Sequence, residues 1–385
     1  WRNFKQRPED REEMTTSAWL FNSIINKHAD IMDNFPKPNI LPRQIDDEQD
    51  AKSLSEIVPV VLEQNKYRRT YSKSAYDFII DGACVTGVFW DNSRNNGMGD
   101  VTIKAIDVHN IYWEPGKEDI QDCKEIFTIS TVKNEDIIKI YPELNGKTGK
   151  DFTKVEYIHD DYRDDSDESV VVDWYYKVQK IEQVDVAEGV TLTRPVTVLH
   201  YCKFCNGVVL YASENEPGME DGFYHHGKYP FVVKQLFPIK DSPWGFGYVD
   251  VMRSPQTYID AIDQLISKNA FMAATPRFWG REDAGINWDD FADWSKTFIP
   301  FAGGNIDEIV KKIEIPSVPA FVVNHKMNKI EELKETSGNR DFSQGSTQSG
   351  VTAASAIAAL QEAGSKLARD MIRSYYDGFE EENYL

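Results

Sequence analysis

The sequence predicts an α+β fold. A large mixed region covers residues 1–240; two long helices then enclose a small aromatic insertion, and a glycine-rich segment leads into a last long helix. Three observations predict this order. Helical periodicity before residue 82 gives way to strand and hairpin patterns that persist to about residue 237. Two helical spans, 249–273 and 317–337, bracket a stretch crowded with tryptophan and acid. Residues 338–350 hold three glycines and no β-branched aliphatic residue, so they have little to bury and read as a loop, and the pattern turns helical again from Val351.

Residues 1–13 are highly charged and read as exposed. The first helix spans 15–34: Thr15 or Thr16 caps it, Trp19, Ile24, Ile25, Ile31 and Met32 give it an apolar surface, and Phe35-Pro36 ends it. Two further helices cover 46–62, where Pro59 introduces a kink, and 67–82, where Tyr71, Ala75, Phe78 and Ile79 recur at helical spacing. Strands follow at 84–90 and 101–106 around an Asn95-Asn96-Gly97 turn. Ile111-Tyr112-Trp113 runs into a turn at Glu114-Pro115-Gly116. Strands are expected at 126–132, 170–180, 191–201, 208–211 and 231–237, with a short helix at 134–141 and an acidic loop at 160–168. In the helix from about residue 249, Pro255 predicts a break or a fresh start, after which Ile259, Ile262 and Ile266 share a face. Ser317 and Pro319 start the helix that aligns Val323, Met327, Ile330 and Leu333. The last helix, 351–376, is capped by Ser349 or Thr352. It places Ile357, Leu360, Leu367, Met371 and Tyr375 on one face, with Glu362, Lys366, Arg369 and Arg373 on a charged stripe.

The chain has 385 residues, room for two or three domains, and 41% of them are hydrophobic, enough for a packed core. A formal net charge of −20 is not that of a protein that grips nucleic acid electrostatically. It suits solubility, a basic partner, or a surface that avoids sticking to DNA. The acidity is uneven: residues 321–376 carry seven Lys/Arg against six Asp/Glu. Four cysteines do not make a disulfide scaffold, and no run approaches the 18 apolar residues of a membrane span. No signal peptide pattern is visible; a start at Trp1 and a polar end predict that residues are missing from both ends.

The sequence offers little catalytic chemistry. Cys202 and Cys205 have metal-like spacing, but zinc needs four ligands and there is no second CxxC; the competing reading is two ordinary strand cysteines beside the Asn206-Gly207 turn. Adjacent His225 and His226 point to opposite faces of an extended chain and chelate poorly. Gly245-x-Gly247 lacks the third glycine of a dinucleotide fingerprint, and there is no phosphate loop or nucleophile elbow. The acidic pairs Asp160-Asp161, Asp164-Asp165 and Asp289-Asp290 can hold a divalent cation but more often form solvated loops. The reading is therefore of a protein without catalytic residues, metal or cofactor. A metal-dependent nucleic-acid-processing enzyme and a head–tail adaptor ring are the alternatives.

The order of these segments resembles that of the portal protein, or head-to-tail connector, of tailed double-stranded-DNA bacteriophages, closest to the portals of short-tailed phages. SAWLFNSIINKHADIMDNFPKPNILPR with DEQDAKSLSEIVPVVLEQN is similar to the family's N-terminal helical region. IDVHNIYWEPGKEDIQDCKEIF resembles its tryptophan–acid–proline turn, with Glu114 where many members have Asp. WGFGYVDVMRSPQTYIDAIDQLISKNAFMAATPRFWG resembles the entrance to its stem helix, with Gly245, Gly247 and Gln256 as the matching marks. SGVTAASAIAALQEAGSKLARD is similar to the helix after its tunnel loop. Each motif is degenerate, and their order along nearly the whole chain is the specific signal.

The resemblance implies a portal-like wing at 1–240, stem helices at 241–273 and 317–337, a clip at 274–316, a tunnel loop at 338–350 and a distal wing helix at 351–385. It implies a homo-oligomeric ring, commonly of twelve subunits, at one vertex of the capsid, assembled in the host cytoplasm. Through it double-stranded DNA passes in packaging, driven by a terminase, and again in ejection. The partners it implies are the terminase, a head–tail adaptor, and the major capsid or scaffolding protein, with no membrane. Asn339, Arg340, Asp341, Phe342, Ser343 and Gln344 become DNA-facing residues, and Trp279, Trp288, Phe291 and Trp294 become docking anchors of the clip, the competing reading for these aromatics being a local mini-core. Some relatives carry a long C-terminal crown, which here is either short or outside this sequence. Arg340 is the one cation of the 338–350 segment. R340E is expected to impair DNA packaging or retention while rings still assemble; normal packaging of the variant in a packaging assay removes the assigned contact.

Overall fold

In the computed structural model the described residues are 17–146, 168–187, 190–219, 222–224, 226–275, 277–280, 287–293, 295–297, 310–338 and 366–385. They form two compact units: Leu20–Val251 with Ser337–Leu385, and Met252–Thr336 with residues 17–19. The α+β prediction holds as mixed helix and sheet.

The first unit opens with α1 (Trp19–Asp33), α2 (Glu48–Gln64) and α3 (Tyr67–Asp81). The face of α1 predicted to be apolar buries Ile24 and Ile31, and α3 buries Tyr71, Ala75, Phe78 and Ile79. Pro59 lies within α2, and the helix continues through it. β1 (Ala83–Asp91) pairs antiparallel with β2 (Asp100–Ile106) across a turn in which Asn95, Asn96 and Gly97 all have positive φ. That turn demands the residue types the sequence supplies there. β3 (Ile111–Trp113), β4 (Glu125–Lys133), β5 (Glu168–Ala187), β6 (Val190–Cys205) and β7 (Val208–Ala212) form a five-stranded antiparallel sheet in that order, with α4 (Asn134–Ile140) after β4. Asn206 and Gly207, at φ 49° and 74°, make the two-residue turn between β6 and β7. β8 (Phe231–Gln235) adds to the free edge of β1, completing the order β2-β1-β8.

Alternation sorts the residues of these strands into layers. Val85 of β1 and Phe231 of β8 pack with Ile126, Tyr175 and Leu199 of the larger sheet, together with Ile120, Cys123 and Tyr229. Cys84 and Lys234, paired across β1 and β8, are displaced by one residue and face the other way. Against that face lies α8 (Lys366–Tyr384), the third of the helices numbered after α5 below.

Two expectations are corrected. Strands expected at 170–180 and 191–201 extend to a hairpin of 20 and 16 residues. β4 pairs with β5 no further than Tyr176, and β7 pairs with β6 no further than Cys202. Beyond those residues β5 and β6 continue as a two-stranded ribbon. With no neighbouring strand to bury a face the apolar alternation there is sparse, Val184 and Val186 on one arm and Val190 and Leu192 on the other, and Ile181 is exposed. Pro195 is tolerated because no third strand needs its amide. The ribbon is held by its ladder and by a cross-strand Arg194–Glu182 ion pair of 2.7 Å. The second correction is α5 (Tyr248–Ala274), which runs through Pro255 without the predicted break. The one bond lost is that from residue 255 to the Val251 carbonyl, and Val251 is exposed, so water can reach that carbonyl.

The second unit contains most of α5 and α7 (Ala320–Ser337), with β11 (Phe278–Gly280), α6 (Trp288–Ala292) and β12 (Val310–Lys312) between them. β11 and β12 pair antiparallel, so the aromatic stretch leaves and rejoins the helical pair through a two-stranded neck. β9 (Phe237–Pro238) and β10 (Gly245–Phe246) form a short pair in the first unit.

A buried ion pair fixes α8. Lys234 Nζ lies 2.7 Å from Glu382 Oε1, with side chains 1% and 3% exposed. The Tyr67 hydroxyl donates to the other Glu382 oxygen, and the Tyr375 ring lies 4.5 Å from the ammonium. Tyr375 donates from its hydroxyl to the Tyr71 carbonyl at 2.9 Å and packs edge-on against Tyr71 and Phe78. Gly378 leaves room for the lysine stem; a Cβ there would overlap Lys234 Cγ. Burial, reinforced by Glu382, pushes the Tyr67 phenol far above its usual pKa, and burial pushes the Cys84 thiol up to about 12. E382Q leaves the ammonium without a counter-charge and is expected to cost about 3–5 kcal/mol in chemical denaturation; a loss below about 1 kcal/mol shows that water, not Glu382, satisfies Lys234.

Candidate functional site

Of the residues predicted to matter, Gly245, Gly247 and Gln256 lie in described structure and have defined partners. In the first unit, α3 ends at Asp81 and Gly82 follows at φ 81°, a left-handed cap. Directly against it runs the segment leading into α5. A Cβ at Gly82 would overlap the Phe246 carbonyl carbon and the Gly247 amide, and one at Gly247 would overlap the Ile80 carbonyl. A Cβ on Gly245 would lie 2.6 Å from the Phe237 oxygen and 2.7 Å from that of Gly82. Three glycines thus let two backbones touch, tied by a 2.9 Å bond from the Leu236 amide to the Gly82 carbonyl. The α5 N-terminus is set there too: Asp250 reaches back to accept from the Gly247 amide at 2.9 Å, the acid half of a capping box.

Aromatic rings close this junction. Tyr248 is buried and meets Phe237 edge-on at 5.2 Å, and Phe237 stacks on Phe246 at 5.1 Å. Trp113, from the predicted tryptophan–acid–proline turn, stacks on Trp244 at 5.6 Å and 14°. Glu114 accepts the Lys124 amide at 3.1 Å, and Gly116 takes φ 80° to complete the turn. Two motifs far apart in sequence therefore meet. Lys27 is buried with Nζ 3.9 Å from the Tyr248 ring centroid. Burial lowers its pKa to about 8 against the opposing pull of Asp30, and burial raises the Tyr248 phenol to about 12.

In the second unit Gln256 donates from Nε2 to the Ser17 carbonyl at 2.9 Å, the Ser17 hydroxyl at 2.8 Å and Asp260 Oδ1 at 3.0 Å. Ser17 in turn donates to Asp260 from its amide and hydroxyl. α5 and α7 are joined by a Lys326–Asp263 ion pair, an edge-on Tyr258–His325 contact at 5.5 Å, and a 3.0 Å bond from Asn269 to the Pro316 carbonyl. Trp279 stands on β11 and is 70% exposed. Trp288 and Phe291 are carried by α6, whose first turn is capped by Asn287. Trp294 and the segment Asn339, Arg340, Asp341, Phe342, Ser343 and Gln344 lie outside the described residues.

The remaining candidates have structural roles where they are described. Cys202 and Cys205, an odd number of residues apart on β6, point to opposite faces, and Cys205 packs with Ile137, Leu144 and Val171. His226 stacks on Tyr224 at 5.3 Å, and His225 lies outside the described residues. Asp290 is paired with Lys296; Asp160, Asp161, Asp164 and Asp165 lie outside the described residues. Among the described residues no three His, Cys, Asp or Glu side chains cluster as metal ligands, and no helix is long and apolar enough to cross a membrane.

Lys27, Gly82 and Asp250 escaped the sequence reading. Gly82 shows only as a helix end and Asp250 as one acid among many. Lys27 falls on the buried face of α1, three residues after Ile24 and four before Ile31, where a charged residue type hid what the spacing signals. Its lowered pKa means that the unfolded chain binds more protons between pH 8 and 10.5, so stability rises with pH across that window. K27M removes a penalty on the order of 3 kcal/mol, less the cation–π attraction. Its gain in melting temperature over the parent chain is expected to be largest at pH 7 and to fade toward pH 10; a gain independent of pH contradicts the assignment.

No curated protein sequence matches the chain. A family model described as Phage P22-like portal protein matches residues 23–375, a span that takes in the α1–α3 region, the tryptophan turn, the glycine junction and both helices of the second unit. With more than nine-tenths of its length matched, the chain belongs to the P22-like phage portal protein family.

Proposed function

We propose that the protein forms a ring at one capsid vertex, the channel through which double-stranded DNA is packaged and ejected, and that its own residues carry no catalysis. The observation that supports the ring most directly is apolar surface left open on the isolated chain. α2 buries only Ala51, yet Leu54, Ile57 and Val60, at spacings of three, are 46%, 54% and 51% exposed. In the second unit Leu265 and Phe271 of α5 and Phe321 and Met327 of α7 are also exposed. A monomeric surface seldom leaves this many large apolar side chains uncovered, and a closed ring covers two unlike faces of each copy.

In this reading residues 1–240 with 351–385 are the wing, α5 and α7 the stem, 274–316 the clip and 338–350 the tunnel loop; twelve copies close the ring. The glycine junction holds the first turn of α5 at a fixed angle to α3. Trp279, with Trp288, Phe291 and Trp294, supplies aromatic anchors for the terminase during packaging and a head–tail adaptor afterwards; the scaffolding or major capsid protein meets the wing. Asp290, in its ion pair with Lys296, is poorly placed to serve a metal-dependent nuclease.

Native mass spectrometry and negative-stain images of the purified chain are expected to show rings of about twelve. I57D is expected to leave folded protomers, judged by circular dichroism, that fail to close; an unchanged ring population in that variant counts against the role given to α2.

A further inference from the structure

Residues 64–76 contain Lys66, Arg68, Arg69 and Lys73 and no acid, in a chain of net charge −20. All four cations are exposed, and none has an ion-pair partner among the described residues. Arg69 and Lys73, four apart on α3, form a short basic stripe about 6 Å long, with Arg68 beside it and Lys66, the left-handed N-cap, just before the first turn. Ser72 and Tyr76 edge the stripe, and His28 fixes both: its ring stacks on Tyr76 at 3.9 Å and its Nε2 lies 3.0 Å from the Ser72 hydroxyl. Burial lowers the His28 pKa, so the ring adds no charge of its own near neutrality. Glu63 precedes the stripe, and Asp77, four residues after Lys73, ends it on the same face.

Local helix energetics do not explain these cations. Arg68 and Arg69 sit in the first turn with Lys66 as cap, at the end where a helix favours acids, and α3 has no acid there and no side-chain cap. Nor does the stripe resemble a protein-docking core, which centres on aromatic and aliphatic anchors and is depleted in lysine. The exposed apolar face of this region is on the preceding helix, α2.

We propose that the α3 stripe binds the phosphate backbone of double-stranded DNA without reading sequence. The duplex carries a charge every ~1.7 Å of its axis, so the stripe faces several phosphates at once. Because the rest of the chain is acidic, binding is weak and depends steeply on salt.

The test is fluorescence anisotropy of a labelled 40-base-pair duplex of arbitrary sequence, titrated with the full chain from 50 to 200 mM salt. The parent chain binds, and R69Q/K73Q loses tenfold or more at low salt. Its log–log salt slope is shallower by about 2, roughly 0.9 for each cation removed. R69K/K73R, which keeps the charge, retains binding, and native mass spectrometry shows the same assembly for all three. R340E keeps the affinity that R69Q/K73Q loses, which separates this surface from the channel segment. Equal affinity and slope in parent and R69Q/K73Q overturn the proposal. So does tighter binding of labelled polyglutamate than of duplex, which assigns the stripe to an acidic protein.

Discussion

The Lys234–Glu382 pair is the interaction on which the rest of the first unit depends. Two charges taken out of water survive only if each finds the other in good geometry and the leftover donors and acceptors are met. Every neighbour contributes to that: the Tyr67 hydroxyl takes the second carboxylate oxygen, the Tyr375 ring lies beside the ammonium, and Gly378 makes room for the stem. An apolar contact tolerates a helix that slides; this one does not, because any displacement strands a charge. α8 therefore has one seat on β8, and that seat orders Tyr71, Phe78 and α3 behind it.

The glycine junction imposes a similar constraint through volume rather than charge. Gly82, Gly245 and Gly247 allow two backbones to meet with no side chain between them, which leaves no compressible layer in which error could accumulate. Asp250 and the Trp113–Trp244 stack then fix where α5 begins. The result is a rigid start for a long helix, built from residues that are individually unremarkable.

The sequence made local features legible. Helical periods, the left-handed turns at Asn95-Asn96-Gly97 and Asn206-Gly207, and the α+β order were readable because short-range geometry selects the residues. So was the family, whose signature is an order of segments. The ion pair was not readable, because Lys234 occupies an ordinary alternating position of a strand and Glu382 one of several acids in a polar helix. The ribbon of β5 and β6 was cut short because an unburied strand pair writes only a sparse pattern, here Val184, Val186, Val190 and Leu192. Continuity through Pro255 was not readable, because propensity marks proline as a breaker wherever it falls in a helix. Of the chosen site residues, Gly245, Gly247 and Gln256 proved to be packing and bonding centres. The 339–344 segment and Trp294 lie outside the described residues.

The first unit is assembled from two stretches of chain with the second unit between them. Translation therefore delivers Lys234 long before Glu382, and the second unit emerges while the first still lacks its closing helix. Until α8 arrives, β8 carries a lysine without its counter-charge and the α3 aromatics lack Tyr375, so the nascent first unit is short of its final stability. The order of synthesis acts as a clock: the first unit cannot close before its chain has been read nearly to residue 382.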